Sequence, residues 1–283
     1  MLLVIDYSNL LIRHAAISAK RDPGGVSGVV YSLRQLERLA EEYQPDYLLV
    51  ARDEQRANLH RRGVSQDYKA GRAALKSDLN IGEQFQLAWE TLSKLGLAVH
   101  MAAGHEADDV IASAVSQFSG QSVVVSGDKD MLALADRSTI HLLRPGGSVS
   151  VDSAGCHKIL GVNPDRVRDY KALVGDASDG ISGVAGIGPK RAIELLERFD
   201  TVEKLYRADL SDLPTGIRNK LEAGKAAAEQ SWQLAGMSED LPLGDFERFR
   251  WPGRRDDLEL NRWLDENRLE ALRPRASSLF SDL

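Results

Sequence analysis

Five short apolar runs, each typical of a β-strand, alternate with longer amphipathic segments in the first half of the chain. The runs cover residues 2–5, 47–51, 97–101, 122–126 and 140–143. Strands that alternate with helical patterns predict βαβ units, and therefore an α/β fold with a mostly parallel sheet between helices. In such a sheet, ligands bind beyond the carboxyl ends of the strands.

Acidic residues follow four of the five runs at the positions where ligands are expected. After the sheet, the segment 175–180 adds two more aspartates. The candidates number nine and are Asp6, Asp53, Glu106, Asp108, Asp109, Asp128, Asp130, Asp176 and Asp179. One aspartate alone after a strand is usually a helix cap or a turn residue, but the complete set favours a shared site.

Carboxylates that converge on one cleft repel one another, and some must take up protons unless cations compensate the charge. Ligands that are all oxygen suit Mg²⁺ or Mn²⁺. Cys156 is the single cysteine, and the six histidines show no spacing typical of zinc. We therefore predict two divalent ions that activate water for the hydrolysis of a phosphodiester.

The net charge of −6 argues at face value against a nucleic-acid partner. The nine candidate ligands account for this acidity, since the rest of the chain carries more basic than acidic residues. Positive charge is concentrated between residues 56 and 76, a segment that contains six basic residues and one acidic residue, Asp67. This segment is interpreted either as a phosphate-binding region or as a solvated helix face, and charge alone leaves both open.

The segment 183–190 combines Gly183, Gly186 and Gly188 with Pro189 and Lys190, just before a helical pattern. Glycines let backbone N–H groups approach phosphate closely, and proline suits the first position of a helix. The pattern is interpreted as a hairpin that binds the DNA backbone. The alternative is an ordinary tight turn between two helices.

Three regions are predicted along the chain. Residues 1–160 form the α/β core, residues 161–235 form a helical subdomain, and residues 236–283 form an extension that packs on the core. A helix is expected from residue 257 to about residue 272. No apolar run approaches the roughly 20 residues that span a bilayer, so a soluble protein without a membrane partner is expected.

Six motifs resemble the bacterial and phage flap endonuclease family, and the 5′-nuclease domain of DNA polymerase I in particular. They are LVID (3–6), YKAGR (68–72), HEADD (105–109), SGDKD (126–130), GDASD (175–179) and the glycine segment 183–190. The chain differs from the usual pattern at Ala51-Arg52, at His60, at His105 and at residues 73–75.

The resemblance implies a PIN-like core, a helical arch near residues 55–80 and a helix–three-turn–helix at the glycine segment. It implies a first metal near Asp6, Asp53, Glu106, Asp108 and Asp109, and a second near Asp128, Asp130, Asp176 and Asp179. It also implies that Lys69 and Arg72 contact the scissile phosphate and that Arg61 contacts DNA. Tyr68 is expected either to stack on a terminal base or to pack in the interior.

The function implied by the resemblance is hydrolysis of DNA at 5′ flaps, 5′ overhangs and nicks, in replication or repair. Two alternatives stay open: a DNA-junction-binding module without activity, and the same chemistry on RNA 5′ strands such as primers. A monomer in the cytoplasm, associated with the nucleoid, is expected. In relatives, the helix–three-turn–helix often binds K⁺, and K⁺ is expected here as well.

Overall fold

The computed structural model describes residues 1–22, 25–54, 60–70, 80–253 and 256–272. Its central layer is a six-stranded sheet with the order β3-β2-β1-β4-β5-β6. The strands are β1 (Leu2–Asp6), β2 (Tyr47–Ala51), β3 (Ala98–His100), β4 (Ser122–Ser126), β5 (Thr139–Arg144) and β6 (Gly147–Val151). The first five strands run parallel, which confirms the predicted fold class.

Strand β6, which the sequence pattern does not predict, pairs antiparallel with β5 through a tight turn that contains Gly146 at φ +84°. Four of the five residues of β6 are exposed. A strand at the sheet edge with little burial has no apolar run that would predict it.

The central strand β1 is buried on both faces. Leu2 and Val4 pack into one hydrophobic cluster, whereas Leu3 and Ile5 pack into the other. Successive side chains of a strand point to opposite faces, so a strand covered by helices on both sides is apolar throughout.

The helices of the first region are α1 (Tyr7–Ser18), α2 (Ser27–Tyr43), α3 (Arg61–Val64), α4 (Ile81–Lys94) and α5 (Ala107–Gln117). Lys129–Leu134 forms a 3₁₀ helix after β4. Helices α1, α2 and α4 contribute to the cluster that contains Leu3, and α5 contributes to the cluster that contains Leu2. The sheet therefore lies between two helical layers.

A second group of helices follows the sheet. It consists of α6 (Ser153–Leu160), α7 (Val167–Val174), α8 (Pro189–Phe199), α9 (Val202–Arg207) and α10 (Thr215–Ala235), with a 3₁₀ helix at Pro164–Arg166. Buried residues of this group, such as Leu173, Leu195 and Leu221, belong to the same hydrophobic cluster as α5. The helical group is therefore packed on the sheet layer and not separated from it.

The C-terminal part forms 3₁₀ helices at Phe246–Phe249 and Glu270–Leu272, and helix α11 at Asp257–Glu266 between them. Trp263 of α11 donates from Nε1 to Thr91 Oγ1 of α4 at 3.0 Å. The helix is shorter than predicted because Arg268 adopts a φ of +58°, a left-handed conformation that ends a helix. None of the described helices has the length and apolar character needed to cross a membrane.

Candidate functional site

Parallel pairing brings the carboxyl ends of β1, β2 and β4 together, and with them the first aspartates of the site. Asp6 ends β1 and caps α1, accepting hydrogen bonds from the Asn9 N–H (3.0 Å) and from Ser126 Oγ at the end of β4 (2.6 Å). Asp53 follows β2 and accepts from the first N–H of α5, that of Ala107, at 2.9 Å. The start of α5 is thereby fixed beside the sheet edge.

Burial and the charge of neighbouring carboxylates raise the pKa of two central aspartates, Asp6 and Asp108. Burial raises the pKa of Asp6 to about 7, and the neighbouring charge of Asp53 adds to this effect. Burial also raises the pKa of Asp108 well above its ordinary value; the positive charge of Lys69 opposes the shift, whereas Asp128 and Asp6 reinforce it. Asp6, Asp53, Asp108 and Asp128 therefore form one electrostatic group.

Asp130 extends this group toward the helical region. Burial and the charge of Asp128 raise its pKa to about 7, although Lys171 opposes the shift. One carboxylate oxygen from each of Asp130, Asp176 and Asp179 lies within 4.8 Å of the others. The segment after α7 thus brings two distant aspartates to the edge of the sheet.

Lys171, in the last turn of α7, is a residue of the site that the sequence analysis missed. Its ammonium donates to Asp130 and, at 2.8 Å, to Asp176 Oδ2. Burial alone would raise the pKa of Asp176, but the hydrogen bond and charge of Lys171 lower it to about 2. The sequence does not predict this ion pair, because paired side chains on a helix are three or four residues apart. Lys171 and Asp176 are five residues apart, and the helix ends between them.

Glu106 and Asp109 lie beside the carboxylate group but are held by buried cations. Glu106 accepts from Lys69, from Arg61 (2.9 Å) and from the Tyr68 hydroxyl (2.7 Å). Both oxygens of Asp109 accept from Arg61, at 2.6 and 2.8 Å. These charges outweigh burial, which alone would raise the pKa, and hold the pKa of Glu106 and of Asp109 below their ordinary values.

The predicted roles of three residues change as a result. Asp109 is fully buried and both of its oxygens accept from Arg61, which corrects its prediction as a metal ligand. Arg61 is 3% exposed and faces Glu106 and Asp109, which corrects the expectation that it contacts DNA. Tyr68 is equally buried, so the structure favours its interior packing role over stacking on a base.

Lys69 connects the segment after α3 to the carboxylate group. Its backbone N–H donates to Asp179 O at 2.8 Å, and its ammonium pairs with Glu106 and lies 3.8 Å from Asp179 Oδ2. Burial would lower the pKa of Lys69, but Asp108 and Glu106 raise it above its ordinary value. Arg72 and the remainder of the predicted arch, residues 55–59 and 71–79, lie outside the described residues.

The glycine segment forms the turn that begins α8, with Pro189 at the first helical position as predicted. Gly183 has a φ of +64°, and an added Cβ would lie 2.4 Å from Gly175 N, so this glycine permits close packing of two backbones. The Gly183 N–H donates to Ser231 Oγ of α10 and therefore points into the protein, away from solvent. A Cβ at Gly188 would meet nothing within 4 Å, so this glycine faces open space.

Lys190 follows on the exposed surface, and Lys220 of α10 donates from Nζ to Gly186 O at 3.2 Å. The Lys220 ammonium thus lies beside the start of α8, and Lys190 belongs to the first turn of that helix, where the helix dipole also favours anions. The sequence does not indicate that Lys220 lies near the glycine segment, because the two are 30 residues or more apart along the chain.

The donor set fits hard divalent cations. Asp6, Asp53, Asp108, Asp128 and Asp130 offer only oxygen, and burial together with neighbouring carboxylates raises the pKa of Asp6, Asp108 and Asp130, an effect that bound cations would reverse. The fold and this site define a PIN-like nuclease, with a mixed α/β core and a helical domain beside an acidic centre.

The chain belongs to the 5′-3′ exonuclease family. Residues 1–161 match the model of the 5′-3′ exonuclease N-terminal resolvase-like domain, and residues 162–257 match the 5′-3′ exonuclease C-terminal SAM fold. The family resemblance and the fold class inferred from the sequence are thereby confirmed.

Relatives include proteins of similar length and parts of longer ones. The 5′-3′ exonuclease of Bacillus subtilis is 35% identical over 86% of this chain and 84% of its own length. Flap endonuclease Xni of Cronobacter sakazakii is 31% identical over 89% of this chain and 98% of its own length. DNA polymerase I of Caldicellulosiruptor bescii is 35% identical over 82% of this chain, which spans 27% of that relative.

Solved structures share the fold at low sequence identity. The T5 D15 protein co-crystallized with metal ions superposes with a TM-score of 0.70 at 19% identity, covering 97% of this chain and 99% of that chain. The catalytic core of Rad2 in complex with DNA substrate gives 0.64 at 16% identity, covering 97% and 92%.

Proposed function

We propose that this protein hydrolyses phosphodiester bonds of DNA near 5′ ends and 5′ flaps, with Mg²⁺ or Mn²⁺ as cofactor. The observation that carries the proposal is the electrostatic group of Asp6, Asp53, Asp108 and Asp128, which Asp130 extends toward Asp176 and Asp179. Burying several carboxylates together is unfavourable when no metal is bound. Bound cations compensate their charge, so such a group is typical of a functional site.

The residues divide the chemical work between them. Divalent ions held by these carboxylates supply a Lewis acid and a water of lowered pKa. Asp6 and Asp53 are oriented by the N–H groups of Asn9 and Ala107, so their positions are fixed before a cation binds. Lys69 brings a positive charge to the edge of the group, where a phosphate gains negative charge during cleavage.

The preference for flap DNA rests on family membership and on the surface beside the site. Relatives are named 5′-3′ exonuclease and flap endonuclease, and Rad2 was solved with a DNA substrate. Lys190 and Lys220 border the start of α8, which faces open space at Gly188. Contacts of this kind position a DNA backbone without reading its sequence.

The decisive experiment is an incubation of the purified protein with a flap substrate labelled on both strands, in Mg²⁺ and in Mn²⁺. Cleavage near the base of the 5′ flap is expected, and product lengths report the cut site. A matched substrate with an RNA 5′ strand separates DNA from RNA preference. DNA binding without any cleavage in either ion would favour a non-catalytic junction-binding module and contradict the proposal.

Lys171 gives a second test of the acidic centre, because its ammonium occupies the place of a cation between Asp130 and Asp176. Lys171→Met is expected to raise the affinity for Mn²⁺ in the absence of DNA by about tenfold, since removing a competing positive charge strengthens cation binding. Calorimetric titration measures this change, with the exposed Lys158→Met as control. Equal or weaker Mn²⁺ affinity in Lys171→Met would show that Lys171 does not compete with a cation.

Four further expectations stay predictions: K⁺ binding at the glycine segment, cleavage of RNA primer ends, a monomeric state, and a cytoplasmic location at the nucleoid. Cleavage assays in K⁺ and Na⁺, together with sedimentation of the protein, test the first and third directly.

A further inference from the structure

A second group of ligand atoms lies next to the acidic centre and contains nitrogen. His60, His105 and Asp109 each place one ligand atom within 4.8 Å of the other two. The two imidazole rings lie with centroids 4.6 Å apart and planes tilted by 43°. His60 precedes α3 and His105 precedes α5, so only the fold brings them together.

The hydrogen bonds of His60 prepare its ring as a ligand. The Gly104 carbonyl accepts from the His60 backbone N–H and lies 2.9 Å from His60 Nδ1. A carbonyl can only accept, so Nδ1 carries the hydrogen and Nε2 of the neutral ring keeps its lone pair. A metal-bound histidine typically donates its second ring N–H to a backbone carbonyl in this way.

His105 differs from His60, because one of its ring nitrogens is buried without a hydrogen bond among the described residues. Its Nδ1 is buried and makes no hydrogen bond in the part of the chain that the structure describes. Asp109 Oδ2 lies 3.5 Å from this nitrogen. A buried polar atom without a hydrogen bond is unfavourable, so such an atom calls for an explanation, and a bound ion is one.

The oxygens of Asp109 are already used by hydrogen bonds, so Asp109 is not expected to bind the ion directly. Arg61 donates to both of its oxygens, Ser238 N–H donates to Oδ1 at 2.8 Å, and Glu106 N–H donates to Oδ2 at 3.1 Å. These four bonds use the roughly four lone-pair positions of a carboxylate. Because Arg61 already balances the charge of Asp109, the two imidazole nitrogens are the groups available to hold an ion.

We propose that His60 and His105 bind a divalent transition-metal ion of the class that prefers imidazole, such as Zn²⁺, separately from the all-oxygen centre. Imidazole suits Zn²⁺, Cu²⁺ and Ni²⁺, whereas Mg²⁺ prefers oxygen. The loop that carries His105 also accepts, through the His105 carbonyl, a hydrogen bond from Glu54 N–H at 3.2 Å. The ion therefore adds a link between this loop and the segment that begins at His60.

Electron paramagnetic resonance of Cu²⁺ tests the site without relying on cleavage. The full chain is saturated with Mg²⁺, so that the carboxylate centre is filled, and one equivalent of Cu²⁺ is added. Superhyperfine splitting from two imidazole nitrogens is expected. A spectrum with oxygen ligands alone would overturn the proposal, whatever the outcome of the flap assay.

Matched variants assign the nitrogens. His60→Phe and His105→Phe keep an aromatic ring and remove its nitrogens, so each is expected to leave one coupled nitrogen, and the double variant none. His157→Phe, at an exposed position on α6, is expected to keep both. Asp128→Asn is also expected to keep both, because it alters only the all-oxygen centre.

Competition with Zn²⁺ gives an independent measurement on the unaltered chain. Zn²⁺ is expected to displace the two-nitrogen Cu²⁺ signal, whereas further Mg²⁺ is not. Displacement by Mg²⁺, or loss of the signal in His157→Phe or Asp128→Asn, would place the copper elsewhere and contradict the assignment. These results stand even if one of the histidine variants does not fold.

Discussion

Replacing Asp108 with asparagine is expected to slow metal-dependent cleavage strongly and, at the same time, to stabilise the metal-free protein. Asp108 is a proposed ligand, and a lost metal interaction is worth several kcal/mol in the transition state, which corresponds to a fall in cleavage rate of about 10²- to 10³-fold. Asparagine has the same shape without the charge that Asp6 and Asp128 repel.

The stability gain has a defined pH dependence. The pKa of Asp108 is raised in the fold, so its protonated form contributes stability that is present below the unfolded pKa near 3.8 and is lost as pH rises through the folded pKa. The advantage of Asp108→Asn over the unaltered chain should therefore be absent near that value and should grow toward alkaline pH.

Thermal denaturation in a chelator, measured across this pH range, checks the prediction together with a flap assay. The control is Asp240→Asn, at an exposed position, which should change neither stability nor cleavage. Retained cleavage would remove Asp108 from the metal centre. A variant that melts lower than the unaltered chain at alkaline pH would contradict the charge repulsion described here.

The second large effect is expected for Arg61→Leu, which should lower the free energy of unfolding by about 3–5 kcal/mol, because it leaves the buried carboxylate of Asp109 without its cation. Arg61 pairs with Glu106 at 2.9 Å and with Asp109 at 2.6 Å, and the exposed fraction of each side chain is 5% or less. Urea denaturation monitored by circular dichroism measures this loss.

The same variant separates the structural role from a DNA contact. Arg62→Leu, the neighbouring change, removes a surface contact to Gln66 O and should shift stability by about 0.5 kcal/mol or less. If Arg61→Leu instead kept its stability and lost only DNA affinity, measured by fluorescence anisotropy, then Arg61 would act as the sequence resemblance had implied.

The sequence by itself determined the parallel sheet and the position of the acidic edge. The runs at residues 47–51 and 122–126 became strands with the same bounds, because apolar runs of this length are a local property of the chain. Parallel pairing then places the carboxyl ends of these strands on one edge, so the sequence alone predicts that Asp6 and Asp53 lie close together.

Tertiary structure decided which charges are free and which are paired. Glu106 and Asp109 lie in the same motif as Asp108. Arg61, which is 45 residues from Glu106 and 48 residues from Asp109, forms ion pairs with both of them but not with Asp108. Lys171 among the aspartates and the contact of His60 with His105 are likewise products of packing. Periodicity reports the side of a helix or strand on which a residue lies. The partner of a charge depends on long-range contacts that no local pattern encodes.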